Sequence, residues 1–362
     1  MCANGTSAVT LRMLADQLGL HVSTVSRALH GTSDESGRAA SPATVERIRR
    51  LATELDYRPN PHAASLRTRR SNLIGVLVPR LSDIVLAMIY EGIEEAAAEH
   101  DLSTFVANTR DLPEIQRIRT DMVLARRVDG MIFGDAYVDA RFLGEVAARG
   151  VPFVLVNRRA GDLPSVTCND HLGGRLLGEH LLELGHRDVA VVAGEPYAST
   201  GIDRTEGFVS AYAEAGIEIP PRRIVRSPFD ATGGRAAAEQ LLADGRPPSA
   251  IFAVNDFAAI GVLGALRDHG LHAGTDIAVA GFNDTPLAAE LPVPLTTVRS
   301  PMHEMGRRGI ELLVRLLRGE QVESEQLRPE LVVRVSTTGA LLGGGSSGSK
   351  QGVARTHLHP PA

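Results

Sequence analysis

Small hydroxyl side chains and one arginine are concentrated near the N-terminus, in the segment VSTVSRAL at residues 22–29. Hydroxyl groups donate hydrogen bonds to phosphates and bases, and an arginine can bind guanine through two parallel hydrogen bonds. In a helix, Ser23, Thr24 and Arg27 would point away from the apolar positions of this segment. This chemistry suits the major groove of DNA, although a plain helical hairpin with a solvated polar face has the same pattern.

The flanking sequence predicts the helices that would position this segment. Thr10 is a suitable N-cap for a helix whose apolar residues recur with a spacing of three and four, and Gly19 is suited to end it. A third helix is predicted to start at Ser41 as N-cap, with Pro42 in its first position. Three short helices with this spacing are typical of a helix-turn-helix domain, a pattern that by itself is often a false positive.

The charge of the chain is unevenly distributed. The whole sequence of 362 residues has a formal net charge of −5, but residues 1–70 contain ten arginines and six acidic residues, a balance of +4. The remainder therefore carries −9. A basic head on an acidic body indicates that only the head contacts a polyanion, unless the difference is chance variation in surface charge.

Length and composition favour a protein of two or three domains without a membrane span. A hydrophobic fraction of 43% with 22% charged residues is typical of a globular protein, and no apolar run approaches about 18 residues. No secretory signal is visible, so we expect a cytoplasmic location. The two cysteines, Cys2 and Cys168, form no disulfide framework. Neither a cofactor motif nor a metal-ligand cluster is present, so we expect no cofactor and no metal.

Beyond residue 73, apolar strand-like runs alternate with helix-length segments, which predicts parallel sheets covered on both faces. The series divides near residues 160–172 into two lobes. Ligands of such sheets bind where the strands end, and polar residues follow four of the predicted strands: Asp83, Asn157, Asn255 and Asn283. An Asn or Asp after a strand often only caps the next helix. We expect that role for Asp256 and Asp284.

Two long segments carry a specific resemblance. VTLRMLADQLGLHVSTVSRALHG, followed by YRPNPHAASLRTRRSNLIGVLVP, is similar to the lactose-repressor/galactose-repressor (LacI/GalR) family of transcription factors, and the likeness extends to about residue 340. The sequence departs from the family pattern at His21, where a small N-cap residue is common, and at residues 30–41, which are about five residues longer than usual.

The resemblance implies a DNA-binding site in the head and hinge. Residues 22–29 would be the recognition helix, and residues 58–72 a hinge whose short helix enters the minor groove, with Leu66 as an apolar wedge between base pairs. The residues implied in DNA contact are Thr10, Val22, Ser23, Thr24, Ser26, Arg27, Asn60, Ala63 and Leu66. Read as a sequence alone, the hinge is equally consistent with a flexible basic linker.

The resemblance also implies an effector site between the lobes. Arg204, Phe229 and, less specifically, Thr200 match effector-binding positions, in addition to the strand-end residues named above. A salt bridge from Arg204 to Asp203 or Glu206, and core packing of Phe229, are the alternatives. The resemblance also implies ligand contact for Asn255 and Asn283. Together with the strand ends, the predicted effector residues are Asp83, Asn157, Thr200, Arg204, Phe229, Asn255 and Asn283.

The sequence thus predicts an α/β protein with an N-terminal all-α helix-turn-helix domain and a two-lobed, periplasmic-binding-protein-like regulatory domain of doubly wound parallel sheets. The predicted boundaries are 1–57 for the head, 58–72 for the hinge, 73–342 for the lobes and 343–362 for a disordered tail. The first lobe would comprise about 73–170 with 300–325, and the second 171–299 with 326–342.

The expected function is that of a sequence-specific transcriptional regulator, most simply a repressor. A homodimer would bind a pseudo-palindromic double-stranded DNA operator, under control of a small-molecule effector such as a mono- or disaccharide, with no membrane partner. The alternatives are a soluble sugar- or nucleoside-binding protein and a sugar-converting enzyme of the same architecture. The head and hinge argue against the enzyme, which has no use for them. A sugar-binding receptor would need export, and the lack of a visible signal segment argues against it.

Overall fold

The computed structural model describes residues 9–30, 40–57, 70–243 and 245–339. The chain divides into two compact units, Met1–Ser71 and Asn72–Ala362, and each is described by itself below. The hinge residues Asn60, Ala63 and Leu66 and the predicted tail at 343–362 lie outside the described residues. Within the described part, no helix is both long and apolar enough to cross a membrane.

The N-terminal unit is a bundle of three helices, each packed on the other two. Their bounds are Leu11–Leu18 (α1), Val22–His30 (α2) and Pro42–Glu54 (α3). The core of the bundle consists of buried side chains from all three helices: Leu14, Ala15, Val25, Ala28, Ile48 and Ala52. The predicted helix-turn-helix arrangement is confirmed.

Local side-chain chemistry sets where these helices begin and end. The Thr10 hydroxyl accepts a hydrogen bond from the Met13 amide at 3.3 Å, and Ser41 caps α3 in the same way through the amide of Thr44. Gly19 ends α1 in the left-handed conformation, with φ 67°. A residue with a side chain would be strained there, so the turn before α2 depends on this glycine.

The larger unit contains two parallel sheets and a small antiparallel pair. Its strands are Leu73–Val78 (β1), Ser103–Asn108 (β2), Gly130–Phe133 (β3), Phe153–Val156 (β4), Ser165–Cys168 (β5), Val189–Ala193 (β6), Ile224–Arg226 (β7), Ala250–Ala253 (β8), Ala278–Ala280 (β9), Thr297–Arg299 (β10), Glu325–Leu327 (β11) and Glu330–Val332 (β12). Its helices are Ile84–Glu99 (α4), Pro113–Leu124 (α5), Arg141–Ala148 (α6), Asp170–Glu183 (α7), Ser199–Glu214 (α8), Ala231–Ala243 (α9), Asp256–Asp268 (α10), Pro286–Glu290 (α11), Met302–Leu317 (α12) and Val335–Thr338 (α13).

The order of the strands places a binding cleft between two lobes. The first sheet runs β11-β5-β4-β3-β1-β2 and the second β7-β6-β8-β9, and all pairings within each are parallel. Strand order therefore reverses next to β1 in the first sheet and next to β6 in the second. In such sheets a crevice forms at the carboxyl ends of the strands beside this reversal. The central strands are buried almost throughout, as parallel strands covered on both faces must be.

The chain passes between the lobes three times. It leaves the first sheet after β5, returns after β10 with α12, which packs on α4 and on β3, β4 and β5, and leaves again after β11. Because β11 pairs with β5, the first lobe continues to Leu327, beyond the predicted boundary at residue 325.

Candidate DNA-recognition surface and effector cleft

The outer face of α2 presents the residue types expected for base contact. Ser23 and Arg27 are exposed, and Val22 is exposed to 38%, a large value for an apolar side chain in a folded unit. Thr24 and Ser26 are half-buried at the edges of this face. The Arg27 guanidinium donates to the Ser23 carbonyl at 3.2 Å and to the Ser23 hydroxyl at 3.4 Å, so its side chain lies along the helix surface.

His21 takes the place of the missing small N-cap residue. The Ser23 amide donates to Nδ1 of the His21 ring at 3.3 Å, and the Ser23 hydroxyl lies 2.8 Å from the same nitrogen. An imidazole nitrogen with a free lone pair accepts hydrogen bonds as a capping oxygen does. The start of the recognition helix is therefore capped despite the departure from the family pattern.

A cavity of about 380 Å³ lies between the two lobes of the larger unit. Segments after β1, β2 and β4 line it from the first lobe, and segments after β6, β7 and β8 line it from the second. It therefore lies at the carboxyl ends of the strands, where the topology predicts a ligand. Five of its lining residues, Asp83, Asp111, Arg158, Tyr197 and Phe229, are called the cavity wall below.

The centre of the cavity wall is a bidentate ion pair. Arg158 donates to the two carboxylate oxygens of Asp111 at 2.8 and 3.0 Å, and only 6% of the Arg158 side chain is exposed. The Tyr197 hydroxyl, from the second lobe, donates to the same carboxylate at 3.0 Å. The guanidinium also lies 5.7 Å from the ring centres of Tyr197 and Phe229. The Arg158–Asp111 pair thus contacts residues of both lobes at the cavity.

Phe229 is held in place by a close approach of main chain and ring. A Cβ atom on Gly194 would lie 2.3 Å from a carbon of the Phe229 ring, so only glycine leaves room for the ring there. The Asn255 side chain donates to the Phe229 carbonyl at 2.9 Å. Phe229 lines the cavity but also packs partly buried against the core, so it combines both roles weighed for it.

Further hydrogen bonds connect the lobes beside the cavity. Arg159 binds both carboxylate oxygens of Asp203, at 2.6 and 3.0 Å, and its amide donates to the Ser199 hydroxyl at 2.9 Å. Arg80 lies 3.4 Å from Asp230 on the opposite side. These contacts add to the bond between Tyr197 and Asp111, and together they favour this relative orientation of the lobes.

Arg204 lies behind the cavity wall rather than on it. Its guanidinium donates to Asp170 at 2.7 Å and stacks 3.9 Å from the Phe282 ring centre, and its side chain is 4% exposed. It also donates to the Val254 carbonyl at 2.9 Å and to Asn283 at 3.2 Å. Its partner is thus Asp170, and not Asp203 or Glu206. Asp170, Arg204, Asn255, Asp256 and Asn283 are called the buried network below.

The two carboxyl groups of the buried network have raised pKa values. Burial raises the pKa of Asp170 to about 6, against the opposing effect of the Arg204 charge. It also raises the pKa of Asp256 to about 6, although hydroxyls of Thr297 and Thr285 and the Thr285 amide bind its carboxylate. Removal of a carboxylate from water disfavours its charged form, and these partners compensate only in part.

The helix cap after β8 differs from the prediction. Asn255, and not Asp256, caps α10, because its side-chain oxygen accepts from the Ala258 amide at 2.8 Å. Asp284 also caps no helix, since its carboxylate binds Arg299 at 2.8 Å and Arg334 at 2.7 Å. The capping role expected of Asp256 and Asp284 was therefore wrong for both residues.

The seven predicted effector residues fall into two groups. Asp83 and Phe229 line the cavity, and burial raises the pKa of the Asp83 carboxyl while the charges of Arg158, Arg80 and Arg204 lower it. The other five are buried near the cavity but do not line it: Asn157, Thr200, Arg204, Asn255 and Asn283. Asp83 also caps α4 through the Val85 amide.

The sequence prediction missed Asp111, Arg158 and Tyr197. Arg158 directly follows the predicted Asn157, so the signal of a polar pair after β4 was present in the sequence. Asp111 lies in the loop after β2, where it and Arg110 both have positive φ values, of 55° and 59°. Consecutive non-glycine residues in this region are unusual and often occur at binding sites.

Metal binding has no support in the part of the chain that the structure describes. No group of three or more His, Cys, Asp or Glu side chains there is arranged to hold a metal ion.

The comparisons with known proteins identify the family. The family model of the periplasmic binding protein-like domain matches residues 179–337. The HTH-type transcriptional regulator DegA of Bacillus subtilis is 32% identical over 336 residues, which cover 91% of this chain and 98% of that protein. The chain belongs to the LacI/GalR family of transcriptional regulators.

Other members agree with this assignment over nearly their whole length. The ribose operon repressor of Haemophilus influenzae is 29% identical over 90% of this chain and 98% of its own. A crystal structure of the Lac repressor dimer bound to operator and the anti-inducer ONPF superposes with a TM-score of 0.83, at 29% identity, covering 91% of this chain and 99% of that chain. This LacI/GalR member is therefore a DNA-binding transcriptional regulator with an effector domain, and the predicted fold class is confirmed.

Proposed function

We propose that this LacI/GalR member is a homodimeric repressor whose affinity for a pseudo-palindromic operator is controlled by a small molecule in the cavity between the lobes. The proposal rests on the presence of both features in one chain. The face of α2 with Val22, Ser23 and Arg27 is exposed, and the other unit has a polar cavity at its strand ends. One half-site would be read by each recognition helix. A cytoplasmic location and the absence of catalytic activity belong to the same proposal.

The chemistry of the cavity wall supports a sugar as effector. Asp83, Asp111 and Arg158 offer acceptors and donors suited to vicinal hydroxyls, and the Phe229 ring offers an apolar face on which a sugar ring packs. The solved structures similar to this chain include a transcriptional regulator CelR–cellobiose complex, with a TM-score of 0.69 at 29% identity, covering 91% of this chain and 99% of that chain. A mono- or disaccharide fits about 380 Å³ of space.

The mechanism we propose couples the cavity to the hinge. An effector that favours one relative orientation of the lobes would change the separation of the two hinge segments in the dimer, and with it the insertion of Leu66 at the operator centre. By linkage, an effector that weakens operator binding must itself bind the operator complex more weakly. The roles of Asn60, Ala63 and Leu66 in this step rest on the family resemblance.

The recognition helix is tested by selecting bound fragments from genomic DNA with the full-length protein and measuring affinities for the selected site and its single-base variants. We expect Arg27→Ala to relax preference at one base position of each half-site, by about 1–3 kcal/mol. The control is Arg49→Ala, which removes an exposed arginine of α3 in the same unit. Equal loss of affinity for all sequences with Arg27→Ala would contradict base reading.

The effector is sought by thermal unfolding of the protein against a panel of mono- and disaccharides, with nucleosides as the second class. A ligand present at 100 times its Kd adds about 2.7 kcal/mol to native-state stability, which is readily detected. A true effector must also change the affinity for the selected operator. A sugar that stabilises the protein without altering operator binding would contradict the proposed coupling.

A further inference from the structure

A second cavity, of about 300 Å³, lies at the opposite end of the second lobe from the effector cavity. It is formed where the strands begin, since Arg187 and Asp188 directly precede β6 and Arg223 directly precedes β7. About 15 Å of strand separates the two ends of this sheet, at about 3.3 Å per residue. The cavity is therefore distinct from the effector site.

The lining of this second cavity is strongly basic for an acidic chain. Its charged lining residues among those described are four arginines, at positions 187, 222, 223 and 246, and two carboxylates, Asp188 and Glu218. Their formal charges leave a balance of +2, whereas the whole chain has a net charge of −5. A concave site with an excess of one charge concentrates ions of the opposite sign.

Arg223 provides a second, independent observation. Its side chain is only 4% exposed, and one terminal nitrogen, Nη2, donates to Asp188 at 2.9 Å and to the Arg246 carbonyl at 2.8 Å. The other two nitrogens, Nε and Nη1, are buried without an acceptor among the residues that the structure describes. Buried charged donors without a partner are costly, and they are rare in folded proteins unless a ligand or water satisfies them.

We propose that this cavity binds a phosphate group, either free or carried by a small metabolite. Phosphate has a charge of about −1.5 to −2 near neutral pH, which is opposite in sign to the excess charge of the lining and similar in size. The arginines come from three separate segments of the lobe, so their donors approach from different sides. A tetrahedral phosphate presents oxygens in several directions, whereas a carboxylate presents two oxygens in one plane. Arg223 is one of the residues that line the cavity, so its guanidinium adds to the positive charge around an oxyanion bound there.

The proposal is tested by titrating inorganic phosphate into the full-length protein by calorimetry at constant ionic strength, with chloride as the background anion. We expect saturable binding that Arg187→Gln and Arg246→Gln each weaken about tenfold, the loss of roughly one charge-assisted hydrogen bond. Both side chains are exposed, so these variants should fold normally. The control Arg119→Gln removes an exposed arginine of α5 in the first lobe and should leave binding unchanged.

Three outcomes would each overturn the proposal. Absence of saturable binding would mean that water alone occupies the cavity. Binding that Arg110→Gln weakens and Arg187→Gln does not would assign the anion to the effector cavity. Malonate that binds as tightly as phosphate would remove the argument for a tetrahedral ligand. Glucose 6-phosphate in place of inorganic phosphate distinguishes the two sources, since tighter binding of the sugar phosphate indicates a metabolite and weaker binding the free ion.

Discussion

The cavity wall and the buried network lie one behind the other in the same cleft, yet they are built differently. In the cavity wall, the bond from Tyr197 to Asp111 crosses between the lobes. In the buried network, by contrast, Arg204 binds Asp170 and Asn283 behind the wall. The positions of the wall residues can therefore change with the separation of the lobes, whereas the network stabilises the fold of the second lobe.

This difference separates two consequences of mutation that are easily confused. A change in the cavity wall should alter effector affinity while the protein remains stable. A change in the buried network should destabilise the fold first, and any loss of effector response would follow from that. Three of the seven predicted effector residues, Arg204, Asn255 and Asn283, belong to the network, so measurements of stability are needed to interpret their variants.

Arg204→Ala has the largest expected effect. It leaves the buried Asp170 carboxylate without its partner, and breaking a buried ion pair in this way costs about 3–5 kcal/mol. Urea unfolding at pH 7 measures this loss, and Asp170→Asn in addition should recover part of it. The control is Arg235→Ala, whose partner Asp268 is exposed, with an expected cost of about 0–1 kcal/mol.

The distinction between wall and network fails if Arg204→Ala retains the parent's free energy of unfolding but loses its response to effector. In that case Arg204 contacts the effector directly, as the family resemblance implies.

The head and the fold class follow from the sequence because their signals are local. Thr10, Gly19 and Ser41 act within three residues of themselves, and the apolar runs of β1, β3, β4, β6 and β8 are continuous. Strand β5, with the sequence SVTC, has no such continuous apolar run, since half of its residues are polar. Strands β11 and β12 are three residues long and contain charged residues, so they show no hydrophobic periodicity that would predict a strand.

The cavity wall was predicted poorly because its partners are remote in sequence. Tyr197 and Asp111 are 86 residues apart, and each lies in a loop with no regular pattern. Asp83 and Phe229 were found, the first because it follows β1 and the second from the family resemblance. The start of α8 at Ser199 also lacks a local signal, because Ala198 offers no side-chain cap. Long-range pairing of polar side chains is set by tertiary structure, which short-range patterns do not encode.

Gly194→Ala tests the cavity wall without removing any polar contact. The added Cβ would force the Phe229 ring to move, and we expect effector affinity to fall about tenfold, as for Phe229→Ala. Calorimetry with the effector found by thermal screening measures this change. The control is Gly144→Ala on α6, where an added Cβ meets nothing within 4 Å. Unchanged affinity in Gly194→Ala would exclude Phe229 from effector contact.

Asp256 allows the buried network to be examined by pH. Its pKa in the folded state is raised to about 6 from an ordinary value of 3.8, so the folded form takes up a proton before the unfolded form as pH falls. Protonation of Asp256 therefore increases the free energy of unfolding as the pH falls through 6. This increase is lost as the pH rises through 6.

Compared with Asp256→Asn, we expect the parent to gain about 1 kcal/mol in free energy of unfolding between pH 7 and pH 5. Urea unfolding of both proteins at the two pH values measures the difference, and groups common to both cancel. An unchanged difference would show that the side chain is solvated, which would contradict its burial behind the wall.

The smallest expected effect comes from a matched pair of tyrosines on the two sides of Asp111. Tyr197→Phe removes a hydrogen bond between the lobes, whereas Tyr137→Phe removes one within the first lobe, from its hydroxyl to the Asp111 carbonyl at 2.7 Å. The two rings stack with centres 4.8 Å apart, and both substitutions retain this contact. One hydrogen bond contributes about 1 kcal/mol, so Tyr197→Phe should weaken effector binding about fivefold. If Tyr137→Phe weakens it equally, the bond across the cleft has no special part in holding the lobes around the effector.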